Sequence, residues 1–353
     1  MSEIVPFQTG MTLGRTYDLR TMSVGSDIFT EKALAALKTT EIPESDYRYY
    51  DIKNCKDVNK ALGIKGEFAL KVKAGLANAD VAGKYLKQDR STENTIDILT
   101  TAHVKMVEET MASTDLNPDL NINSIGTHFI RTIKYGGNMF ANIRIQASDS
   151  TNVEDIRGQV SAGMSFEGAL DANAKAELKM LEKDIRGSSS MQISLYATIL
   201  IDTVPRDIAS MLKTLDAFND EVKKEGNGKG VPLMCELVPL STLDPSIPEV
   251  VRNRGVDAAL IELEVMYDDV RHGKSKLETL LGREDLTDDQ EKQAWKLNEK
   301  ISTLYTCFNT VIAKLDVTKE PDQLTPAFDA YSKNTEPGGY THMVSQFEKS
   351  LKA

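Results

Sequence analysis

Two zones of the chain alternate apolar and polar residues with a period of two, which is typical of strands with one dry and one wet face. The first zone begins as EFALKVKAGL and returns as TIDILTTAHVKMV, and the second begins as QVSAGMSFEGALDANAKAELKML and returns as MQISLYATILID. Their apolar positions are Phe68, Leu70, Val72, Leu76, Ile96, Ile98 and Val104 in the first zone, and Val160, Met164, Phe166, Leu170, Leu178, Met191, Ile193, Leu195, Ile199 and Ile201 in the second.

The middle of each zone also fits a helix. In the second zone Leu170, Ala174, Leu178 and Leu181 form one helical stripe, and the Ala, Leu, Lys and Glu around them favour helix. We therefore predict a strand up to about Phe166 and a helix from Leu170 onward in the protein before it meets a membrane.

Alternation alone leaves two interpretations open. A strand that crosses a bilayer needs about 9 to 11 alternating residues with no charge on its lipid face. The even positions from Val160 to Leu178 meet that condition. An ordinary half-exposed antiparallel strand shows the same pattern. Two such zones that also fit helices favour segments that convert from helix to membrane-spanning hairpin, in which a closed barrel satisfies every backbone polar group.

The last third of the chain has a helical period instead. VDAALIELEVMYDDVRHGKSKLETLLG and DDQEKQAWKLNEKISTLYTCFNTVIAKL predict two long amphipathic helices, the first ending at Gly282. Two shorter helices are predicted on either side of the turn EPGG. The proline-containing stretch DPSIPEVVRNRG marks the boundary, so we predict one domain over 1–250 and a small helical bundle over 251–353.

The net charge and the hydropathy of the chain argue against several classes of function. The 353 residues carry a net charge of −11, which argues against nucleic-acid binding because no basic patch is available to neutralise phosphates. The same charge disfavours anionic lipid, so membrane attachment would need a neutral lipid surface, a receptor or a partner. No signal peptide and no transmembrane helix are evident in the sequence. We therefore expect a soluble protein that is released without a classical signal peptide, with cytoplasmic storage left open.

Residues that could support catalysis or metal binding are few. Cys55, Cys235 and Cys307 are far apart and without CxxC spacing, which predicts free or core thiols. His103, His272 and His342 have no neighbouring acidic or cysteine ligands in sequence. EGNGKG lacks the spacing of a phosphate-binding loop and predicts a surface turn. We predict no enzyme activity, no metal and no cofactor.

One block of the sequence resembles a family signature. Gly126, Thr127, His128 and Phe129 are followed after six residues by Gly136 and Gly137. This spacing resembles the signature of the membrane attack complex/perforin (MACPF) and cholesterol-dependent cytolysin (CDC) superfamily, except that Ile125 stands where the signature has an aromatic residue. More narrowly, the blocks LGRTYDLR, AGKYL, DIRG and VPLMCELVPLSTL resemble the stonustoxin-type cytolysins, and the helical third resembles their helical domain.

The resemblance implies an α+β fold with a bent, twisted antiparallel MACPF/CDC-like sheet, two flanking helical clusters and a following small α-helical bundle. The clusters would be about 66–106 and 156–202, and in that superfamily such clusters refold into membrane-spanning hairpins. The pair Gly136 and Gly137 would lie at the bend of the sheet, where residues without Cβ allow close backbone approach, although an ordinary bulge would explain the pair as well. His128 would make a structural hydrogen bond beside the bend.

The function that follows from the resemblance is pore formation by an oligomer. The implied partners are a lipid membrane and either further copies in a ring or a second related subunit. Stonustoxin-type chains continue into thioredoxin-like and PRY/SPRY domains that we do not find in this sequence, so the resemblance does not extend to target choice or to lysis by this chain alone. The alternative is a non-lytic binding or scaffold protein that keeps the fold without inserting.

Overall fold

The protein combines an antiparallel sheet with helices, in agreement with the predicted α+β class. The computed structural model describes residues 2–77, 81–87, 95–117, 126–147, 153–158, 167–185, 189–334 and 339–351. Val160, Met164 and Phe166, together with the strand predicted up to Phe166, lie outside these ranges. By its internal contacts the described chain forms two compact units, one up to Val251 and one from Arg252, and Lys65–Ala77 belongs to the second.

The first unit is built on one sheet of nine antiparallel strands. Their order is β1-β9-β6-β5-β4-β7, with β8 paired to the second half of β6 and β2 paired to β3 and to the start of β6. The three longest strands, β4, β5 and β6, lie side by side at the centre. The strands are β1 (Glu3–Pro6), β2 (Arg15–Asp18), β3 (Ser23–Asp27), β4 (Leu37–Ile52), β5 (Thr95–Met111), β6 (His128–Ala147), β7 (Glu167–Ala169), β8 (Ser189–Ala197) and β9 (Val231–Pro239).

Short helices connect these strands. In chain order they are α1 (Glu31–Ala35), α2 (Cys55–Leu62), α3 (Gly66–Lys73), α4 (Val81–Leu86), α5 (153–158), α6 (Ala172–Ile185) and α7 (Ile208–Val222). The capping chemistry explains where several of them begin and end. Asn54 and Asp57 form a capping box that begins α2, and Gly63 ends that helix in the left-handed region at φ 65°. Asp207 and Ser210 form the equivalent box that begins α7.

The helix predicted from Leu170 onward is confirmed. α6 begins two residues later, where the Asp171 side chain accepts a hydrogen bond of 2.9 Å from the backbone N–H of Ala174. Its predicted stripe of Leu170, Ala174, Leu178 and Leu181 is buried in the same apolar cluster as the inner face of β5 and β6. The helical pattern of this segment therefore decides its fold because its apolar stripe can pack against the sheet.

The predicted bounds of the two helical clusters are too wide. Residues 95–106 belong to β5, so Ile96, Ile98 and Val104 are buried positions of a sheet strand. Met191, Ile193 and Leu195 likewise lie in β8 and are half-buried against the sheet core. Their alternation arises because one face of each strand packs on that core. Leu76, which was predicted as an apolar position of the first zone, lies beyond α3, which ends at Lys73, and is 52% exposed in the turn that follows.

The second unit contains the helices predicted for the last third of the chain. They are α8 (Val256–Leu281), which ends at Gly282 as predicted, α9 (Asp288–Ala313), α10 (Thr325–Asn334) and α11 (Gly339–Leu351). Asp269 of α8 caps the start of α11, because its carboxylate accepts hydrogen bonds from the backbone N–H groups of Tyr340 and Thr341 at 2.7 and 2.9 Å. Across the described ranges of the chain, no helix combines the length and apolarity that crossing a membrane requires.

Candidate functional site

Three of the five register shifts in the described sheet lie around the glycine pair of β6. The register shifts between Glu41 and Glu44 where β4 meets β5, between Lys105 and Val107 where β5 meets β6, and between Lys134 and Tyr135 where β6 meets β9. Such bulges bend a strand and increase its local twist. Gly136 pairs with Lys105 at this level, so the bulges of adjacent strands combine into the bend of the sheet.

The two glycines meet different neighbours at the bend. A Cβ added to Gly136 would lie 1.9 Å from the carbonyl oxygen of Val104, which is backbone of the adjacent strand. A Cβ added to Gly137 would lie 2.4 Å from Cγ2 of Val222 and 3.0 Å from Cζ of Phe218, both side chains of α7. Gly136 therefore lets two strands approach closely, and Gly137 lets a helix lie on the sheet.

The helix α7 and the turn after it complete the bend, and sequence reasoning missed the helix and the position of the turn against the sheet. Phe218 and Val222 of α7 are fully buried against the sheet core. A Cβ on Gly230 would lie 2.2 Å from the carbonyl oxygen of Gly136, and Lys229 pairs with Glu109 of β5. EGNGKG does form a surface turn as predicted, with a short 3₁₀ helix at Gly226–Gly228. Its closely spaced glycines were the available signal that the turn approaches another backbone.

The first half of the signature lies at the start of β6, and its predicted position beside the bend is wrong. The backbone N–H of Thr127 donates to the Tyr17 carbonyl oxygen at 3.0 Å, and its Oγ1 accepts from the N–H of Leu19 at 2.9 Å. Phe129 packs edge-to-face on Phe29 with ring centroids 5.2 Å apart. His128 and Gly136 are eight residue steps apart along the extended strand β6, so the two positions lie about 27 Å from each other. These residues anchor β2 to β6.

His128 makes the structural hydrogen bond that was predicted, although at this other place. Its Nδ1 lies 2.8 Å from Oγ1 of Thr127, and the side chain is buried. Burial lowers the pKa of His128 from its ordinary value of 6.5 to about 4, because desolvation penalises the charged ring. The residue is therefore neutral at physiological pH.

Acidification is expected to destabilise the protein through His128. Between pH 6.5 and 4 the unfolded chain binds a proton at this residue and the folded chain does not, so the contribution is complete above pH 6.5 and is lost as pH falls toward 4. The shift corresponds to about 3 kcal/mol of unfolding free energy. Denaturant unfolding of the wild type and of His128→Gln at several pH values measures it. Parallel stability profiles of the two proteins over this range would contradict the assignment.

A second histidine connects the bend to helix α2. His103 of β5 has Nδ1 at 2.9 Å from Oδ1 of Asn138 and Nε2 at 3.2 Å from the carbonyl oxygen of Ala61 in α2. Its ring also packs edge-to-face on Phe140 at 5.6 Å. His103 thus links two strands and a helix one position from the glycine pair, a role that its isolation in the sequence did not indicate.

The two predicted segments leave the sheet at the same end. Ile52 at the end of β4 pairs with Asp97 at the start of β5, so the connection that contains α2, α3 and α4 joins neighbouring strands there. Ala147 at the end of β6 pairs with Ser189 at the start of β8, so the connection that contains α5 and α6 does the same. Because β5 and β6 are also paired, β4, β5, β6 and β8 are four adjacent strands at that end.

The helices of the two segments are held in different ways. Leu170 and Leu178 share the sheet core with Ile96, Ile98 and Val104. Tyr85 of α4 is fully buried, with its hydroxyl 3.3 Å from Oδ1 of Asn142 and its ring edge-to-face with Tyr196. The α3 residue Leu70 instead belongs to the core of the second compact unit, which contains α8 to α11 and is called the helical unit below. The remaining predicted positions Phe68, Val72 and Ile199 are buried, and Ile201 is half-buried.

Comparison with known proteins finds relatives that cover more than two thirds of this chain. No family model matches the chain. Stonustoxin subunit alpha of Synanceia horrida is 19% identical over 253 residues, which cover 69% of this chain and 36% of the toxin. Neoverrucotoxin subunit alpha of Synanceia verrucosa is 20% identical over 310 residues, which cover 84% of this chain and 42% of the toxin. The chain thus spans less than half the length of these curated relatives.

A solved stonustoxin structure matches the fold. It superimposes with a TM-score of 0.54 at 17% identity, covering 100% of this chain and 45% of the toxin chain. At that identity the likeness concerns the fold, which agrees with the bent antiparallel sheet and the helices described above. The chain therefore has the MACPF/CDC-like fold and resembles the stonustoxin-type cytolysins.

Proposed function

We propose that this protein forms pores in lipid membranes as an oligomer, by refolding two helical segments into membrane-spanning hairpins. The observation that carries the proposal is the register at the end of the sheet where β4, β5, β6 and β8 lie side by side. Extending the connections 53–94 and 148–188 in that register would add two adjacent hairpins to a sheet that already exists. Each connection is long enough for two strands of about 9 to 11 residues.

The relatives support the proposal. Curated matches are named stonustoxin and cytolytic toxin, and several are named as alpha or beta subunits. Either a ring of identical copies or a ring with a second related subunit would join these hairpins into a closed barrel, which satisfies the backbone polar groups in lipid. The net charge of −11 favours neutral over anionic lipid as the first target.

Site-directed labelling of α6 tests the refolding. Single cysteines at successive positions from Ala172 to Leu181, in a Cys307→Ser background, would carry an environment-sensitive dye. On phosphatidylcholine vesicles we expect the protein to release a dye trapped inside them. The fluorescence of the label, plotted against its position in the sequence, should vary with a period of about 3.6 residues in solution and with a period of two on the vesicles. Electron microscopy of the same samples should show rings.

A negative result would have a definite meaning. If neither this chain alone nor this chain with a related subunit releases dye, and the labels keep the helical period on vesicles that bind the protein, pore formation is wrong. Binding without leakage would then support the non-lytic scaffold function. Protease resistance of residues 167–185 that appears only on vesicles would argue for insertion.

A further inference from the structure

The helical unit contains part of the first segment that we propose to refold, the connection 53–94 between β4 and β5. Contacts assign Lys65–Ala77, which includes α3, to the same compact unit as the chain from Arg252. Leu70 of α3 is fully buried in one cluster with Leu260 and Leu263 of α8. Gly66 lies so close to α8 that a Cβ added to it would be 3.6 Å from Cβ of Leu260. α3 is therefore packed as a core helix of that unit.

A buried ionic cluster fixes the end of α3. Nζ of Lys73 lies 2.7 Å from Oε1 of Glu264 and 2.6 Å from Oδ2 of Asp268, both on α8. The Lys73 side chain is 4% exposed and that of Glu264 is fully buried. Burial lowers the pKa of a lysine, but at Lys73 the carboxylates of Asp268 and Glu264 outweigh that effect and raise it. The cluster is therefore charged and needs all its members in place.

A second buried ion pair fixes the start of α3. Nη2 of Arg252 lies 2.9 Å from Oε2 of Glu67, and their side chains are 7% and 6% exposed. Arg252 also pairs with Asp257 at the start of α8. The two charged contacts lie at opposite ends of α3, with Leu70 between them, so the helix is held along its whole length.

This arrangement makes the release of α3 depend on the helical unit. If α3 left to become a strand, the fully buried Glu264 would lose Lys73 and the buried Arg252 would lose Glu67. Asp268, which is partly exposed, would keep Arg271, and Arg252 would keep Asp257. Charges that lose their partner inside a protein are strongly destabilising. The helical unit must therefore rearrange when α3 leaves, and while it keeps its native packing it holds the segment in its helical state.

We propose that the helical unit functions as a latch on the first refolding segment, because it holds α3 in place until the unit rearranges. The residues that hold α3 are Lys73, Glu264, Asp268, Glu67 and Arg252. The proposal rests on the proposed pore-forming function, because a latch has meaning only for a segment that leaves. It assigns to the helical unit a function beyond structural support. It also assigns a role to Lys73, a lysine that is buried although it alternates with apolar residues in the sequence.

A reversible disulfide tests whether α3 must leave. Gly66→Cys with Leu260→Cys places two Cβ atoms 3.6 Å apart, within the range that a disulfide requires. In a Cys307→Ser background, the oxidised protein should release no dye from phosphatidylcholine vesicles, and the same protein after reduction should release it. If oxidised and reduced proteins release dye equally, the latch is wrong while pore formation stands. If the reduced protein and the wild type are both inactive, the proposed function itself fails.

Neutralising the carboxylates tests the latch without a membrane. Glu264→Gln with Asp268→Asn leaves Lys73 without both carboxylates, and hydrogen exchange of residues 66–77 should accelerate about 100-fold. Adding Lys73→Met should restore slow exchange, because an apolar replacement of a whole buried ionic cluster is tolerated. Glu348→Gln removes the more exposed pair with Lys276 in the same unit and should leave these residues unchanged. Unchanged exchange in the doubly neutralised protein would overturn the proposal.

Discussion

Crosslinking α6 to α7 is expected to abolish dye release, and cleaving the crosslink to restore it. Nζ of Lys175 on α6 lies 2.5 Å from Oδ1 of Asp216 on α7, so cysteines at these two positions can be joined by a short thiol-cleavable bismaleimide. The joined protein keeps α6 on the helix that covers the bend. If the second segment becomes a hairpin, α6 must leave α7, and the crosslinked protein cannot complete that change. Release from phosphatidylcholine vesicles should fall to the level of vesicles without protein.

A matched crosslink separates this effect from general stiffening. Cysteines at Arg15 and Asp27 replace a pair with Nε and Oδ1 3.4 Å apart and join β2 to β3, without involving α6 or the helical unit. This control protein should keep its ability to bind vesicles and to form rings. Both proteins need Cys307→Ser, since Cys307 is the partly exposed thiol and Cys55 and Cys235 are buried. Undiminished release by the α6–α7 crosslinked protein would show that this segment inserts no hairpin.

The sequence predicted those features that local pattern determines. The helical stripe of Leu170, Ala174, Leu178 and Leu181 gave α6, because four apolar residues at helical spacing can pack on a sheet and the polar face can remain in water. Likewise α8 ends before Gly282, and the two shorter helices predicted around EPGG are α10, which ends at Asn334, and α11, which begins at Gly339. In each case the residues that form the element are close in sequence, so the pattern contains the information.

Features that depend on distant contacts were not predictable in the same way. The alternation of Ile96, Ile98 and Val104 is identical for a strand in a sheet core and for a strand in a bilayer, and only the packing partners distinguish them. The packing of α3 with α8 joins residues 191 positions apart at Lys73 and Glu264. Two lysines inside an apolar run, Lys71 and Lys73, were the local sign of an unseen partner, because buried lysines are almost always paired.

The bend of the sheet combines a feature that local sequence indicates with contacts that only the fold supplies. Gly136 and Gly137 were predicted to lie there from a resemblance, and the register shifts of three strand pairs gather around them. The other half of the bend comes from Phe218, Val222 and Gly230, which follow in sequence by many residues. A glycine pair indicates that something approaches closely, but the approaching residue is supplied by the fold.

Replacing the two glycines is expected to have different consequences. Gly136→Ala should destabilise the protein by about 3 kcal/mol, because its Cβ would lie 1.9 Å from the carbonyl oxygen of Val104 and the backbone of two paired strands must separate. Gly137→Ala should lower the unfolding free energy by about 2 kcal/mol, which is less than at Gly136, because its Cβ would meet side chains of α7 and these can shift more easily than backbone. Denaturant unfolding measures both values. Gly158→Ala, where a Cβ meets no atom within 4 Å, should change stability by less than about 1 kcal/mol.

A double substitution separates the two clashes. Val222→Ala removes Cγ2, the atom nearest to the new Cβ, and should relieve the clash of Gly137→Ala. The double variant should therefore lose about 1 kcal/mol less unfolding free energy than the sum of the losses of the two single variants. The same Val222→Ala should give no relief to Gly136→Ala, whose clash is with backbone. Additive costs at Gly137, or relief at Gly136, would contradict this account of the bend. Relief at Gly137 alone would show that α7 rests on the sheet through that residue, because only there is the new Cβ opposed by side chains of α7.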